Sequence, residues 1–131
     1  MIKPPDFAKS LPQIGVLIPG SVEFFAVQKK GLDQAAKKYG LNLIYADAGW
    51  DAARQLAQVE NFISRKVDLL LLCSVDNLTL QGIVPRVQKA GIPLMTFSNT
   101  IGSDPHGIYP GIEAYIGRDE VKGGEMLGQM V

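Results

Sequence analysis

The run Val67-Asp68-Leu69-Leu70-Leu71-Leu72-Cys73 is apolar at every position except Asp68 and shows no alternation between apolar and polar residues. Such a run is typical of a strand in a parallel sheet, because helices cover both faces of that kind of sheet. Shorter or weaker runs lie on either side of it in the chain. They predict further strands at residues 14–18, 41–46, 92–97 and 115–117.

Amphipathic segments separate these strands, and their apolar residues recur at helical spacing. Asp51 and Asp119 predict the N-caps of the second and fourth helices. Either Asn77 or Thr79 predicts the cap of the third helix, and Gly40 predicts the end of the first. The apolar positions are Phe25, Leu32, Ala36 and Tyr39; Ala52, Leu56, Val59 and Ile63; Ile83, Val84, Val87 and Ala90; and Val121, Gly124, Leu127 and Val131.

Five predicted strands that alternate with four predicted helices indicate an α/β fold in three layers. Because strand–helix–strand crossovers are right-handed, we expect helices on both faces of the sheet. The prediction is a flavodoxin-like domain whose five-stranded parallel sheet has the order 2-1-3-4-5. Residues 1–12 contain three prolines and no periodic pattern, so we expect an extended leader there and the domain over residues 13–131.

The composition is that of an ordinary globular chain, and it excludes several classes of function. The 131 residues are 47% hydrophobic, and 13 basic residues balance 13 acidic ones. A chain with neither net charge nor a basic cluster does not attract nucleic acid, so we expect no nucleic-acid partner. The single cysteine, Cys73, excludes an internal disulfide and a thiolate metal site.

The sequence contains none of the usual signatures of catalysis or nucleotide binding. The motifs G-x-x-x-x-G-K-[ST], G-x-G-x-x-G, G-x-S-x-G and H-E-x-x-H are all absent. We interpret His106 as a solvated loop residue, because no cysteine or second histidine accompanies it, and Cys73 as a buried, inert thiol. The sequence therefore predicts a protein that is not an enzyme and that carries no cofactor and no metal.

Polar and aromatic residues follow the predicted strands at their carboxyl ends, where open parallel sheets bind ligands. Neutral amides and hydroxyls beside aromatic rings suit an uncharged, polyhydroxylated ligand, because the C–H faces of a sugar stack on rings while its hydroxyls need hydrogen-bond partners. Each residue is equally suited to be an ordinary cap or turn residue. The residues are Ser21, Glu23, Phe24 and Phe25; Asp47 and Trp50; Ser74 and Asp76; Ser98, Asn99 and Thr100; and Arg118 and Asp119.

Short motifs with a family resemblance occur in order along the chain. They are Gly15-Val-Leu-Ile-Pro19, Phe24-Phe25, Asp47-Ala48, Asp51-Ala-Ala-Arg-Gln-Leu56, Val67-Asp68, Ser74-Val-Asp76, Ala90-Gly-Ile-Pro-Leu94 and Ile116-Gly-Arg-Asp-Glu-Val-Lys-Gly-Gly124. In this order and spacing they resemble the amino-terminal lobe of periplasmic sugar-binding proteins of the ribose-binding type. The resemblance runs from about residue 13 to residue 131.

The resemblance implies a type I periplasmic binding protein, in which two α/β lobes close on a sugar. We therefore expect one lobe here, with the second lobe and a signal peptide outside these residues, and a periplasmic location. The implied ligand is a neutral monosaccharide or polyol, and the implied partners are the membrane permease of an ABC transporter or a chemoreceptor. Because one lobe supplies only part of the cleft, we expect the 131 residues alone to bind sugar weakly. A lone lobe also exposes apolar surface that the rest of the chain would cover, so we expect it to self-associate.

The resemblance also implies roles for individual residues. Phe24 or Phe25 matches the position whose ring stacks on the sugar, and Asn99 matches a hydroxyl-binding position. Arg118 stands where a small residue is commoner. The candidate ligand-binding residues are Phe24, Phe25, Asn99, Arg118, Ser98 and Trp50.

Two departures from the ribose-binding pattern bear on the identity of the sugar. Val22-Glu23 stands where that pattern has Asn-Pro before its paired aromatic residues. Ser98-Asn99 stands where it has Asp-Arg after the fourth strand. The resemblance therefore indicates a class of ligand and does not single out ribose.

Two other classes of protein share this fold. The effector-binding core of LacI-type transcriptional repressors resembles the chain as far as the helix that contains Gly123-Gly124, and it is the alternative function. A repressor carries a basic helix-turn-helix segment ahead of the first strand, whereas residues 1–12 hold only Lys3 and Lys9 as basic residues. An unrelated flavodoxin-like enzyme is the third class, and the sequence offers no catalytic set for it.

Overall fold

A five-stranded parallel sheet forms the centre of the computed structural model, which describes residues 11–131. The strand order β2-β1-β3-β4-β5 is the predicted one, and every pair of neighbouring strands is parallel. The predicted leader, residues 1–12, lies outside the described residues except for Leu11 and Pro12. The strands are β1 (Gln13–Ile18), β2 (Asn42–Asp47), β3 (Leu69–Leu72), β4 (Leu94–Phe97) and β5 (Ala114–Ile116).

Four α-helices connect or follow these strands, and two of the predicted caps are confirmed. The Asp51 carboxylate accepts a hydrogen bond from the backbone N–H of Arg54, and that of Asp119 accepts one from the N–H of Lys122. Gly40, in the left-handed conformation with φ +67°, ends the first helix as predicted. The helices are α1 (Glu23–Tyr39), α2 (Ala52–Ser64), α3 (Val84–Lys89) and α4 (Glu120–Gln129), and a 3-10 helix, Thr79–Ile83, leads into α3.

The predicted cap of the third helix is wrong. Asp76, rather than Asn77 or Thr79, accepts hydrogen bonds at 2.8 and 3.1 Å from the backbone N–H groups of Leu78 and Thr79. These N–H groups stabilise the charged carboxylate and lower the pKa of Asp76. The Asn77 amide donates instead to the carbonyl oxygen of Gly102 at 2.8 Å, so it ties the 3-10 segment to the loop after β4.

Two apolar clusters form the core, one on each face of the sheet. The larger cluster contains Val59 and Phe62 of α2 and Val87 of α3, packed against β3 and β4. The smaller cluster holds Phe25 of α1 against residues that include Ile14, Val16, Cys73 and Phe97. The predicted fourth helix forms, but α4 has no buried residue. Within the described residues, none of the helices has the length and apolar character needed to cross a membrane.

One buried polar residue, Gln55 of α2, fixes the loop that follows β3. Its side chain is fully buried, its Nε2 donates to the carbonyl oxygen of Cys73 at 3.0 Å, and its Oε1 accepts from the N–H of Val75 at 2.8 Å. Both ends of the amide are therefore paired with backbone groups on either side of Ser74. This clamp sets the position of one carboxyl-end loop of the sheet.

Candidate functional site

A cavity of about 720 Å³ opens beside the first turns of α1 and the carboxyl ends of β4 and β5. Five of the six predicted ligand-binding residues line it, whereas Trp50 does not. The cavity also continues along α1 onto the sheet face, where its walls are apolar. The five residues are Phe24, Phe25, Ser98, Asn99 and Arg118, and the apolar walls include Leu32, Leu71 and Phe97.

The paired aromatic residues at the start of α1 have different environments. Their rings meet edge to face, with centroids 5.2 Å apart and planes at 81°. Phe25 is only 7% exposed and belongs to the smaller core cluster, whereas Phe24 is 45% exposed. Phe24 is therefore the ring of the pair that has surface available to a ligand.

Arg118 packs against the ring of Phe24. Its guanidinium carbon lies 5.8 Å from the ring centroid, within the range of a cation–π contact. The same guanidinium pairs with the carboxylate of Glu120 at 3.0 Å, and both side chains are more than two-thirds exposed. An ion pair this exposed contributes little stability, so Arg118 can reorient at low cost when a ligand approaches Phe24.

The loop after β4 presents Asn99 at the rim of the cavity. The Asn99 Nδ2 donates to the carbonyl oxygen of Ser74 at 3.2 Å, and the Ser74 hydroxyl donates to the carbonyl oxygen of Thr100 at 2.6 Å. Asn99 itself is exposed. Among residues 11–131 no donor reaches the Oδ1 of Asn99, so this amide oxygen remains an acceptor for a hydroxyl group.

Trp50 lies outside the cavity but near Phe25. Its backbone has φ +64°, and its indole packs over Gly20, where a Cβ atom would come within 2.2 Å of the ring. The ring centroids of Trp50 and Phe25 are 6.4 Å apart. The structure therefore places Trp50 at the same edge of the sheet without bringing it to the cavity.

Ser21 and Asp47, which also follow strands, form a separate contact away from the cavity. The Ser21 hydroxyl donates to the Asp47 carboxylate, and the backbone N–H of Gly49 donates to the same carboxylate at 2.8 Å. Both bonds favour the charged form and hold the pKa of Asp47 below its usual value. This carboxylate is thus engaged in the turn after β2.

The charges around the cavity nearly cancel. Of residues 11–131, Glu120 and Arg118 are the charged ones that line it, and they pair with each other. Burial raises the pKa of the Cys73 thiol, behind the cavity wall, to about 11, so the thiol stays protonated at neutral pH. Over residues 11–131, no three His, Cys, Asp or Glu side chains come together as metal ligands would.

Gln28 lines the cavity although the sequence did not predict it as a site residue. It lies on α1 three residues after Phe25 and four residues before Leu32, and therefore on the same side of the helix as both. Its Nε2 donates to the Ser98 hydroxyl oxygen at 2.8 Å. Its position could have predicted a role, because a polar residue on the apolar side of an amphipathic helix is unusual. Gln55 of α2, which lies on the same side of its helix as Val59 and Phe62, carries the same signal.

Residues 14–131 match the sequence profile of the periplasmic binding protein domain. The chain belongs to this family. The predicted resemblance is therefore confirmed.

Other members of the periplasmic binding protein family are similar over most of this chain. The ribose import binding protein RbsB of Bacillus subtilis is 32% identical over 108 residues, which are 82% of this chain and 33% of that protein. The xylitol-binding protein of Mycolicibacterium smegmatis is 26% identical over 119 residues, or 91% of this chain and 32% of that protein. The chain thus spans about a third of the length of the curated relatives it matches.

Solved structures of periplasmic binding proteins have the same fold. A fructose-binding periplasmic domain of a hybrid two-component system superimposes with a TM-score of 0.81 at 26% identity, over 90% of this chain and 38% of that one. An ABC transporter solute-binding protein from Bacillus halodurans, solved with bound myo-inositol, has a TM-score of 0.65 at 36% identity, over 70% of this chain and 32% of that one. These binding proteins give no support to the repressor alternative.

Proposed function

We propose that this chain is the amino-terminal lobe of a two-lobe solute-binding protein, which binds a neutral monosaccharide or polyol and delivers it to an ABC-type importer. The observation that carries the proposal is the cavity at the carboxyl edge of the sheet, where an exposed ring and a free amide oxygen line the same opening. The similarity to a ribose import binding protein and to a xylitol-binding protein supports the same class of ligand.

The chemistry of the cavity suits an uncharged ligand better than a charged one. Phe24 offers an apolar ring for the C–H face of a sugar, and the Asn99 Oδ1 offers an acceptor for a hydroxyl. Arg118, once released from Glu120, supplies N–H donors to further hydroxyl oxygens. A carboxylate ligand would instead compete with the Glu120 carboxylate for the Arg118 guanidinium, and the negative charge of Glu120 would repel it.

The second lobe is proposed from the open side of the cavity and from the lengths of the relatives. Parallel sheets are normally covered on both faces, yet Leu71 is only partly buried and Ile116 is largely exposed where they line the open cavity beside α1. We propose that further chain of the complete protein covers this surface and encloses the ligand. That the 131 residues alone self-associate stays a prediction, which rests on this uncovered apolar surface.

The partners and location of the complete protein follow from the same proposal. A binding protein of this family presents its closed, ligand-bound form to a membrane permease of an ABC transporter, or to a chemoreceptor, in the periplasm. The similarity to a ribose import protein supports the transporter as the principal partner. Nothing in the cavity calls for bond breaking, and we propose that the bound solute leaves chemically unchanged.

A thermal-shift screen of the 131-residue chain tests the proposed ligand class. We expect ribose, xylitol, myo-inositol or fructose to bind weakly, because one lobe leaves part of the ligand in water. The dissociation constant should be in the millimolar range or weaker, which corresponds to a binding free energy on the order of 4 kcal/mol or less. At about ten times the dissociation constant, binding adds about 1.4 kcal/mol to the stability and raises the melting temperature by several degrees.

A matched variant separates specific binding from the general stabilising effect of polyols. Phe24→Ala removes a 45% exposed ring, so the fold should tolerate it while the stacking surface is lost. We expect at least one of the four compounds to stabilise the wild-type chain more than the variant. Equal shifts in the two proteins for every compound would count against the proposed function.

A further inference from the structure

The backbone makes a strained turn immediately after β4. Ser98 has φ +60°, a backbone conformation that residues other than glycine rarely adopt. The N–H of Asn99 donates to the carbonyl oxygen of Phe97 at 2.7 Å. A positive φ together with a hydrogen bond between residues two apart is the pattern of a γ-turn that is rare because it is strained. Such a turn persists only when surrounding contacts hold it.

Three hydrogen bonds from distant parts of the chain hold Ser98. Its N–H donates to the carbonyl oxygen of Ile116 at 2.9 Å, and its carbonyl oxygen accepts from the Tyr115 hydroxyl at 3.0 Å. Both of these partners lie on β5. The third bond comes from α1, where the Nε2 of Gln28 donates to the Ser98 hydroxyl oxygen at 2.8 Å. Gln28 is therefore the contact that ties this turn to the helix carrying Phe24.

The amide of Gln28 is only half satisfied. Its Oε1 is buried and has no hydrogen-bond partner among residues 11–131. A buried polar atom without a partner is unfavourable, and an apolar side chain of similar size would avoid that cost against the neighbouring Leu32. The stability of the fold therefore does not account for a glutamine at this position.

We propose that Gln28 is a positioning residue for ligand binding, which holds Ser98 in the left-handed conformation and thereby directs Asn99 toward the cavity. This inference rests on the proposed function. The bond to Ser98 couples α1, which carries the stacking ring of Phe24, to the turn that carries the amide of Asn99. The Gln28 side chain thus joins the helix that carries the stacking ring to the turn that carries the amide.

The test uses Gln28→Leu in the 131-residue chain, with Gln34→Leu at an exposed position of α1 as the control. We expect the melting temperature of Gln28→Leu to be equal to or above that of the wild type. We also expect NMR order parameters of the Ser98 and Asn99 amides to fall from about 0.85 to below about 0.6. The dissociation constant for the best of ribose, xylitol, myo-inositol and fructose should rise at least fivefold, and the control should change none of these quantities.

Ser98→Gly distinguishes positioning from direct contact with the sugar, because glycine adopts a positive φ without strain. In the Ser98→Gly background, Gln28→Leu should change the dissociation constant less than twofold. An undiminished effect in that background, or unchanged order parameters in Gln28→Leu, would overturn the proposal. If the wild-type chain binds none of the four compounds while Gln28→Leu loosens the turn, the proposed function fails and the role of Gln28 in the turn stands.

Discussion

Replacing Gln55 by leucine is expected to lower the free energy of unfolding by about 2–4 kcal/mol. The side chain is fully buried, and its amide pairs with the carbonyl oxygen of Cys73 and the N–H of Val75. Leucine fills a similar volume but leaves both backbone groups without a partner in the protein interior. Each unpaired buried group carries a desolvation penalty, which makes this loss larger than that of an ordinary hydrogen bond.

Gln58→Leu, on the same helix, is the matched control for this prediction. Gln58 donates one hydrogen bond, to the carbonyl oxygen of Asp47 at 2.8 Å, and its Oε1 has no partner within residues 11–131. We expect this variant to lose less than about 1.5 kcal/mol, since the removal of an unsatisfied atom offsets part of the lost bond. Urea denaturation followed by circular dichroism measures both values. Equal losses in the two variants would show that Gln55 does not clamp the loop.

Asn99→Ala is expected to weaken binding of the best sugar by about 1–3 kcal/mol, which is roughly a 5- to 150-fold rise in the dissociation constant. Alanine removes the acceptor that we assign to a ligand hydroxyl, so that hydroxyl is left unpaired in the complex. Alanine also removes the hydrogen bond to the carbonyl oxygen of Ser74. The melting temperature without sugar must therefore be measured beside the affinity.

The control for Asn99→Ala is Asn61→Ala, at an exposed position of α2 remote from the cavity. Titrations followed by NMR give the dissociation constants of both variants and of the wild-type chain. We expect the control to bind as the wild type does. Unchanged affinity in Asn99→Ala would remove Asn99 from the binding site and leave Phe24 and Arg118 as the remaining assigned contacts.

The sheet order and three helix limits, at Gly40, Asp51 and Asp119, could be predicted from the sequence because they depend on local signals. The run from Val67 to Cys73 is apolar apart from Asp68, so it indicates a central parallel strand, and right-handed crossovers then limit the possible orders of its neighbours to a few that include the observed one. Asp51 and Asp119 precede their helices directly and cap them through groups three residues away. Short-range hydrogen bonds of this kind depend little on the rest of the fold.

Most of the missed features depend on residues that are far apart in the chain. The exception is the Asp76 cap, whose bonds to the N–H groups of Leu78 and Thr79 are short-range. Gln28 and Ser98 are 70 positions apart, and Gln55 bonds to groups 18 and 20 positions away. Spacing alone cannot pair such residues. The position of Trp50 was equally inaccessible, because its positive φ turns the indole over Gly20 and away from the cavity.

The most direct test of the proposed binding site is a two-dimensional NMR titration of the 131-residue chain with myo-inositol and with ribose. If the cavity beside α1 binds a neutral sugar or polyol, one of these compounds should shift the amide resonances of Phe24, Ser98, Asn99 and Arg118 in a saturable manner, while those around Trp50 and along α2 change little. Saturable shifts confined to other residues, or no shifts at about 100 mM of either compound, would contradict the assignment of this cavity as the binding site.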